Sequence, residues 1–303
     1  MQNRPICITG PFRKLLTMDH LPLKGSLKDA QLEIIEEAGI VHQAGKILEI
    51  GLFKELCANY NHLSPEIQHT ESDMIALPGF VDAHTHLCWA GSRENDYAMR
   101  LEGRSYTEIA QSGGGIWDTV TKTRNATDEE LKKLLKMRAD RQLANGITTC
   151  EVKSGYALSP EGELRLLEII RSANQEHSID LVPTCLAAHI KPKDFDGGTE
   201  AYLQFLTDKL LPVIKKEKLT SRVDIFVEDG AFGVQEAGKY LFEAKKMGFD
   251  LVVHGEQFTS GGAALAVRIG AKSVDHLEMI GAEAIAELAA SEVVAMALPG
   301  ASI

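Results

Sequence analysis

The feature that most constrains the fold is an alternation of apolar and amphipathic segments that begins near Leu77. Short apolar stretches rich in β-branched residues predict buried strands, and the segments with a helical period predict the crossovers that parallel strands require. The alternation therefore predicts an α/β fold built on a parallel sheet. The seven predicted strands are residues 81–86, 147–153, 181–189, 223–228, 251–254, 273–276 and 293–298.

Two of the intervening segments carry recognisable helix starts. Thr127 is followed three residues later by Glu130, which is the capping-box arrangement, and this helix is expected to end near Gly146. Ser159 precedes Pro160, and these are the residue types favoured at the N-cap and at the first helical position. Repeated βα units form either a closed (β/α)₈ barrel or an open doubly wound sheet. No GxGxxG motif follows the first predicted strand, and this favours the TIM-type barrel.

The residues before the alternation read differently. Residues 31–53 contain two short apolar runs on either side of an Ala-Gly-Lys turn, a pattern that indicates a β-hairpin. We therefore expect a small β-sandwich-like module over residues 1–76 and a barrel over residues 77–303.

Composition narrows the classes of partner. The chain has 303 residues, 44% of them hydrophobic, and 43 acidic against 32 basic residues give a net charge of -11 without long runs of one sign. This distribution argues against a nucleic-acid partner. The five cysteines lack the spacing of a disulfide framework or a zinc ribbon, and no signal segment or membrane-spanning stretch is evident. We expect a cytoplasmic protein that acts on a small molecule, with a homodimer as one option.

Four histidines occupy equivalent places in the predicted sheet. His84 and His86 are two positions apart on the first predicted strand, so their imidazoles should share one face. His254 and His276 end the fifth and sixth predicted strands. Either of the last two alone is equally well explained as a hydrogen-bonded barrel histidine. Four together predict a metal centre, because burying several imidazoles is costly unless they bind something.

The segment around the first two histidines resembles a known family. Residues 78–86 are similar to the opening signature of the metal-dependent amidohydrolase superfamily, whose members carry HxH on barrel strand one and further histidines on strands five and six. Other segments resemble the imidazolonepropionase family in particular, and the resemblance extends over essentially the whole chain. These more selective segments are residues 89–93, 113–117, 153–156, 187–189 and 254–257.

The residues and the resemblance together imply a mechanism. One divalent or ferric ion, zinc or iron, on His84, His86 and His254 would lower the pKa of a bound water toward ~7. The resulting hydroxide would attack an amide carbonyl, and His276 would polarise that carbonyl or stabilise the oxyanion. The resemblance implies that 4-imidazolone-5-propanoate is the substrate and N-formimidoyl-L-glutamate the product, a step of histidine degradation.

Such a substrate carries a propionate and requires a fixed cation. Arg93, in the loop after the HxH pair, is our candidate, although most loop arginines form surface ion pairs. Tyr106 is a candidate hydroxyl donor. The resemblance assigns Tyr156 and His189 to contacts with the substrate ring or acyl chain, and either could instead fill the barrel mouth. We assign Gln257 to substrate binding, because an amide can hydrogen-bond a substrate but cannot act as a general base.

Alternatives remain at this point. Lys153 could be a carbamylated metal bridge, but it falls on the second predicted strand rather than the fourth, which favours a one-metal site. The chain could also be another amidohydrolase, such as a nucleobase deaminase, or a catalytically inactive barrel that binds metal, because fold does not guarantee activity.

The family places an aspartate at the end of barrel strand eight, where it binds the metal and accepts a proton. Residues 77–303 contain seven predicted strands and fall short of the ~250 residues of a typical barrel. We therefore expect that strand eight is absent, that the small β module lacks its C-terminal strands, and that the chain alone has little or no activity. Glu228 and Glu256 are the first candidates to replace the aspartate.

Overall fold

The computed structural model describes residues 4–22, 25–71, 73–105, 108, 109 and 112–300. The chain divides into two compact units, one that ends at Gly79 and one that begins at Phe80.

The first unit is a mixed five-stranded sheet with one helix on it. β1 (Cys7–Leu16) is central, pairing antiparallel with β2 (Ile34–Gln43) and parallel with two short strands. β2 and β3 form the predicted hairpin, and its two turn residues, Ala44 and Gly45, both have positive φ, as tight hairpin turns require. The remaining elements are β3 (Lys46–Leu52), α1 (Phe53–Tyr60), β4 (Glu66–His69) and β5 (Ile75–Ala76).

The second unit contains a seven-stranded sheet in which all neighbours are parallel. The strands follow one another across the sheet in chain order, from β6 to β12. A doubly wound sheet reverses its strand order at a switch point, and the described strands show no such reversal. Their bounds are β6 (Phe80–Asp82), β7 (Ile147–Lys153), β8 (Asp180–Ala188), β9 (Arg222–Val227), β10 (Asp250–Gly255), β11 (Ser273–His276) and β12 (Val294–Ala297).

The first predicted strand was wrong in its extent. β6 ends at Asp82, so His84 and His86 follow the strand instead of lying on it. The segment still runs beside β7, because the Lys153 N–H donates to the Thr85 carbonyl over 3.0 Å and the Thr85 hydroxyl donates to the Glu151 carbonyl. The other six strands agree with the prediction to within one or two residues.

Helices connect the strands as the alternation predicted. The Thr127 hydroxyl accepts from the Glu130 N–H over 3.2 Å, and the Ser159 hydroxyl accepts from the Gly162 N–H over 3.2 Å, so both predicted helix starts are confirmed. The described helices of this unit are α2 (Glu94–Leu101), α3 (Gly115–Asn125), α4 (Asp128–Ala144), α5 (Pro160–Glu176), α6 (Thr199–Lys209), α7 (Leu211–Glu217), α8 (Val234–Lys246), α9 (Gly262–Ile269) and α10 (Ala282–Ala289).

The main core lies between these helices and the sheet. Leu206 of α6 and Leu241 of α8 are fully buried with Ile225 of β9 and Val253 of β10. Among the helices of the described residues, none is both long and apolar enough to cross a membrane. Because the strands are parallel, their carboxyl ends share one edge of the sheet, and that edge carries the site.

Candidate active site

The four predicted histidines form one cluster. The ring centroid of His84 lies 4.5 Å from that of His254 and 5.3 Å from those of His86 and His276. The Nε2 atoms of His86 and His254 are 3.3 Å apart. Side chains from β10, from the end of β11 and from the segment after β6 therefore meet at a single point.

His254 and His276 of the cluster are buried, and His84 and His86 are partly buried. Burial, followed by the charges of neighbouring histidines, lowers the pKa of His86 and His254 well below the usual range. Burial is also the main cause that lowers the pKa of His276. Neutral imidazoles have a free ring nitrogen lone pair, which is the form of histidine that binds metal ions.

Two buried aspartates lie behind the cluster. The Nδ1 of His84 lies 2.7 Å from Asp275 Oδ2, and the Nδ1 of His254 lies 2.9 Å from Asp224 Oδ2. Burial would raise the pKa of Asp275, but the His84 hydrogen bond and the Lys153 charge outweigh it, so the pKa is lowered. Asp275 is therefore a carboxylate and His84 Nδ1 is the donor. Carboxylate–imidazole pairs of this kind orient metal ligands.

Sequence reasoning missed both aspartates. Each stands in a short predicted strand, which was the available signal: Asp224 within Arg222–Val227 and Asp275 within Ser273–His276. An acid inside a buried strand requires a partner, but the partners come from distant parts of the chain.

Lys153 connects the two aspartates. Its Nζ is fully buried and lies 2.7 Å from Asp224 Oδ2, 2.7 Å from Glu151 Oε2 and 3.3 Å from Asp275 Oδ2. Burial alone would lower the pKa of this lysine, but the carboxylates of Asp224, Glu151 and Asp275 outweigh burial and raise it. Lys153 is therefore an ammonium, whereas a carbamylated bridge would require a neutral amine.

A cavity of about 610 Å³ opens over the cluster. The Nδ1 of His189 donates to the Gly155 carbonyl over 3.0 Å, and burial lowers the pKa of His189 to about 4. The Tyr156 ring packs 5.3 Å from the His189 ring. The structure thus brings together, around this cavity, most of the predicted site residues: His86, Tyr156, His189, His254, Gln257 and His276.

The loop that carries Tyr156 is held by a buried carboxylate. Glu163 of α5 accepts from the N–H groups of Gly155, Ala157 and Leu158 at 2.8 to 2.9 Å. Gly155 has φ +102°, and a Cβ there would lie 2.8 Å from the Leu186 carbonyl oxygen, so only glycine fits. The position of Tyr156 is consequently fixed from both sides.

A second buried carboxylate holds the loop after β10. Glu228 accepts from the N–H groups of Gln257, Phe258 and Thr259 at 2.6 to 3.1 Å, and from the Thr259 hydroxyl over 2.5 Å. Glu256 accepts in the same way from two N–H groups at the start of α9. Both glutamates, which we had considered as proton acceptors, therefore bind backbone.

The structure does not bring Arg93 to this cavity. Its Nε donates to Thr119 Oγ1 over 2.6 Å and its Nη1 to Asp96 Oδ2 over 3.0 Å. Arg93 lines a separate cavity of about 210 Å³, although its charge contributes to the lowered pKa of His189. Tyr106 lies outside the described residues.

The segment after His86 is fastened to α4. The Trp89 indole donates to the His86 carbonyl over 2.7 Å, and the Arg138 guanidinium lies 3.8 Å from the Trp89 ring centroid. Arg138 also donates to the carbonyls of Leu87 and Trp89 at 2.6 and 2.7 Å. Sequence reasoning missed this arginine because its acceptors are backbone groups.

Comparison with known proteins extends this description. No family model matches the chain. It is 42% identical over 291 residues to the imidazolonepropionase of Bacillus cytotoxicus, a match that covers 95% of this chain and 67% of that protein. The chain belongs to the imidazolonepropionase family. The Herpetosiphon aurantiacus imidazolonepropionase is 40% identical, with 95% of this chain and 68% of that protein covered. The imidazolonepropionase of Clostridium tetani is 39% identical, and that match covers 88% of this chain and 64% of that protein. The chain therefore spans about two thirds of the length of these curated relatives.

Solved structures share the fold at low sequence identity. A mutant atrazine chlorohydrolase from Arthrobacter aurescens TC1, complexed with zinc and atraton, matches with a TM-score of 0.62, 14% identity, and coverage of 97% of this chain and 65% of that one. Guanine deaminase from C. acetobutylicum matches with a TM-score of 0.62 and 14% identity. This match covers 97% of this chain and 68% of that one. These likenesses concern the fold, whereas membership of the imidazolonepropionase family comes from the sequence relatives.

Proposed function

We propose that the protein hydrolyses the cyclic amide of 4-imidazolone-5-propanoate to N-formimidoyl-L-glutamate, a step of histidine degradation. Relatives named imidazolonepropionase, about 40% identical over most of the chain, support this activity. The observation that carries the proposal is the 3.3 Å separation of the His86 and His254 Nε2 atoms, in a buried cluster at the floor of a substrate-sized cavity.

His84, His86 and His254 would hold one zinc or iron ion. The 3.3 Å separation suits two nitrogens that each lie about 2.1 Å from the same ion. The His86 Nδ1 is buried without a hydrogen-bond partner in the described part of the chain, which leaves that ring free to turn toward an ion. Three imidazoles suit zinc or iron. The bound ion would supply Lewis-acid activation of water and of the amide carbonyl.

The geometry of the described residues favours a different set of three histidines. One ring nitrogen from each of His84, His254 and His276 lies within 4.8 Å of the others, whereas His86 does not meet this distance with His84 and His254 together. We nevertheless assign His276 to the substrate, because it ends β11, lines the cavity and has φ +91°, a strained conformation for a histidine. In this role its imidazole would hydrogen-bond the amide oxygen and stabilise the charge that develops there.

The remaining residues would bind and orient the substrate. Tyr156, His189 and Gln257 line the cavity and would contact the ring or the acyl chain. Gln257 can donate and accept hydrogen bonds but cannot take up a proton. Arg93 and Tyr106 would bind the propionate, and for Arg93 this requires exchange of the Asp96 contact for the substrate carboxylate.

We also propose that the seven strands over residues 77–303 are seven of the eight strands of a (β/α)₈ barrel, with residues 1–76 forming a small β module. The unbroken chain order of seven parallel strands supports a barrel rather than a doubly wound sheet. A crystal structure of the protein with its metal would test this architecture through the strand order and shear.

The activity is tested by an anaerobic ultraviolet assay of 4-imidazolone-5-propanoate consumption by the purified protein. Metal content is measured in the same sample, and mass spectrometry identifies the product. We expect that any N-formimidoyl-L-glutamate formed is in proportion to bound metal. Turnover of guanine or cytosine in place of the imidazolone would contradict the proposal, and bound metal with no hydrolysis of any cyclic amide would indicate an inactive barrel.

A further inference from the structure

We infer that Lys153 is a positioning residue for the histidine cluster. Its ammonium is the fixed cation shared by the two aspartates that hold His84 and His254. The inference rests on the proposed metal site, and it assigns to the chain's own lysine the task of keeping two ligand imidazoles in orientation.

Three carboxylates surround the Lys153 ammonium. Its Nζ donates a hydrogen bond to Asp224 Oδ2 over 2.7 Å, and it forms ion pairs with Glu151 Oε2 at 2.7 Å and with Asp275 Oδ2 at 3.3 Å. The Oδ2 of Asp224 faces both the ammonium and His254, and the Oδ2 of Asp275 faces both the ammonium and His84. Each aspartate oxygen is therefore fixed between a cation and an imidazole.

The two aspartates cannot reorient without losing hydrogen bonds. The Oδ1 of Asp224 accepts from the Ile225 N–H over 2.7 Å, and the Oδ1 of Asp275 accepts from the Ser273 hydroxyl over 2.8 Å. With Oδ1 held by the strand and Oδ2 held by Lys153, each carboxylate has one orientation. The Nδ1 of its histidine then has one acceptor direction, which sets where Nε2 points.

The charges of the three carboxylates require a cation between them. Glu151, Asp224 and Asp275 lie on β7, β9 and β11, and all three side chains are buried. Without the ammonium, their mutual repulsion and lost hydration would be uncompensated, so at least one carboxylate would turn away. A turned Asp275 would lose its hydrogen bond with His84, and a turned Asp224 would lose its 2.9 Å contact with His254 Nδ1.

Glu151 provides a matched control within the same network. It pairs with Lys153, and its Oε1 accepts from the Thr184 hydroxyl over 2.6 Å and lies 3.3 Å from Arg222 Nη2. In the described part of the chain, no hydrogen bond or ion pair joins Glu151 to an imidazole. Removing its charge therefore alters the network without removing an acceptor of a histidine.

A pure charge effect and a positioning effect predict opposite orders of zinc affinity for the Lys153 and Glu151 variants. A nearby ammonium repels a metal ion, so loss of Lys153 would tighten zinc binding if charge alone mattered, and loss of the Glu151 charge would weaken it. If Lys153 positions the aspartates, its loss weakens zinc binding and the Glu151 change has the smaller effect.

The experiment compares the wild-type chain with Lys153→Met, Glu151→Gln and the double variant. Zinc affinity is measured by competition with a chromophoric chelator, and the visible absorption of bound cobalt(II) reports the ligand geometry. We expect Lys153→Met to bind zinc about 10–100-fold more weakly, with an altered cobalt spectrum. The double variant restores the net charge of the network, and we expect it to remain weak, whereas Glu151→Gln changes the affinity less.

Zinc binding that is unchanged or tighter in Lys153→Met, or restored in the double variant, would overturn the inference. The inference would also be overturned if Lys153→Met and the double variant both failed to fold at saturating zinc, because Lys153 would then be needed for the fold itself. If the wild-type chain binds neither ion, the proposed metal site fails and the inference fails with it. If the wild-type chain binds zinc and the variants bind it with the same affinity and the same cobalt spectrum, the positioning inference fails while the proposed metal site stands.

Discussion

The Nδ1 of His84 donates a hydrogen bond to Asp275 Oδ2 over 2.7 Å, across 191 positions of sequence. This bond fixes the tautomer of His84, because the proton on Nδ1 leaves the lone pair on Nε2. It also ties the segment after β6 to β11, on the far side of the sheet from β6.

Replacing either histidine of the HxH pair should remove the metal. His84→Ala and His86→Ala each delete one of three proposed ligands, and a three-imidazole site does not readily lose one. We expect bound metal and turnover to be abolished in both variants, as measured by elemental analysis and the ultraviolet assay. His62→Ala, an exposed histidine on the first unit, is the control and should retain both. Full metal occupancy in either HxH variant would contradict the ligand assignment.

Replacing His276 should separate catalysis from metal binding. In His276→Ala we expect full metal content and a kcat reduced by about 10²–10³-fold, because the amide oxygen loses a stabilising donor. Metal analysis and steady-state kinetics on one preparation measure both effects. Loss of the metal would instead identify His84, His254 and His276 as the ligand set.

Replacing Arg93 should affect only substrates with a propionate. Loss of a charge-assisted contact in Arg93→Ala should cost roughly 1.5–3 kcal/mol of substrate binding and leave the metal in place. The measurement compares kcat/KM for 4-imidazolone-5-propanoate with that for 4-imidazolone. Asp96→Asn is the control for the ion pair seen in the structure. Equal losses on the two substrates would show that Arg93 is a structural partner of Asp96.

Replacing Glu228 should destabilise the protein and loosen the substrate loop. Glu228→Gln exchanges a buried acceptor of three N–H groups for an amide that carries its own donors, so the free energy of unfolding should fall by about 1.5–3 kcal/mol. KM should rise, since Gln257 lies on that loop. Glu243→Gln, an exposed partner of Lys246, should change stability by less than about 0.5 kcal/mol. A Glu228 variant as stable as that control would contradict the loop-holding role.

Cysteine reactivity should follow burial. Burial raises the pKa of Cys185 to about 12 and that of Cys150 to about 11, so neither thiol forms the reactive thiolate at pH 8. Under native conditions we expect iodoacetamide to modify the half-buried Cys57 and to spare both of these. Peptide mass spectrometry before and after denaturation measures the difference. Native labelling of Cys185 would show that the sheet opens more readily than its packing indicates.

The strands were largely predictable because the position of each one follows from its own residues and from those next to it in the sequence. β7 and β11 match their predicted bounds, although both mix apolar and polar residues, because each lies between helical segments that limit where a strand can begin and end. β6 did not match, because the chain leaves regular pairing at Asp82 while individual bonds to β7 continue. The pattern of apolar residues does not show where regular backbone pairing with the neighbouring strand ends.

The convergence of the histidines was also predictable from the sequence, but the buried charged residues that contact them were not. His84, His254 and His276 occur at strand ends, which parallel geometry brings to one edge. The roles of Asp224 and Lys153 depend on which side chains from other strands face them, and this is set by packing across the sheet. The Arg93 contact with Asp96 shows the same limit, because a loop arginine has several acceptors within reach.

The separation of 191 positions between His84 and Asp275 also bears on how the protein is made. A ribosome releases the chain from its amino end, so the HxH segment emerges long before β11 exists to receive it. Until then, His84 and Lys153 have no Asp275 to pair with. Tight metal loading must therefore wait until β11 is synthesised and paired in the sheet, and a nascent chain arrested before β11 should bind zinc more weakly than the released chain.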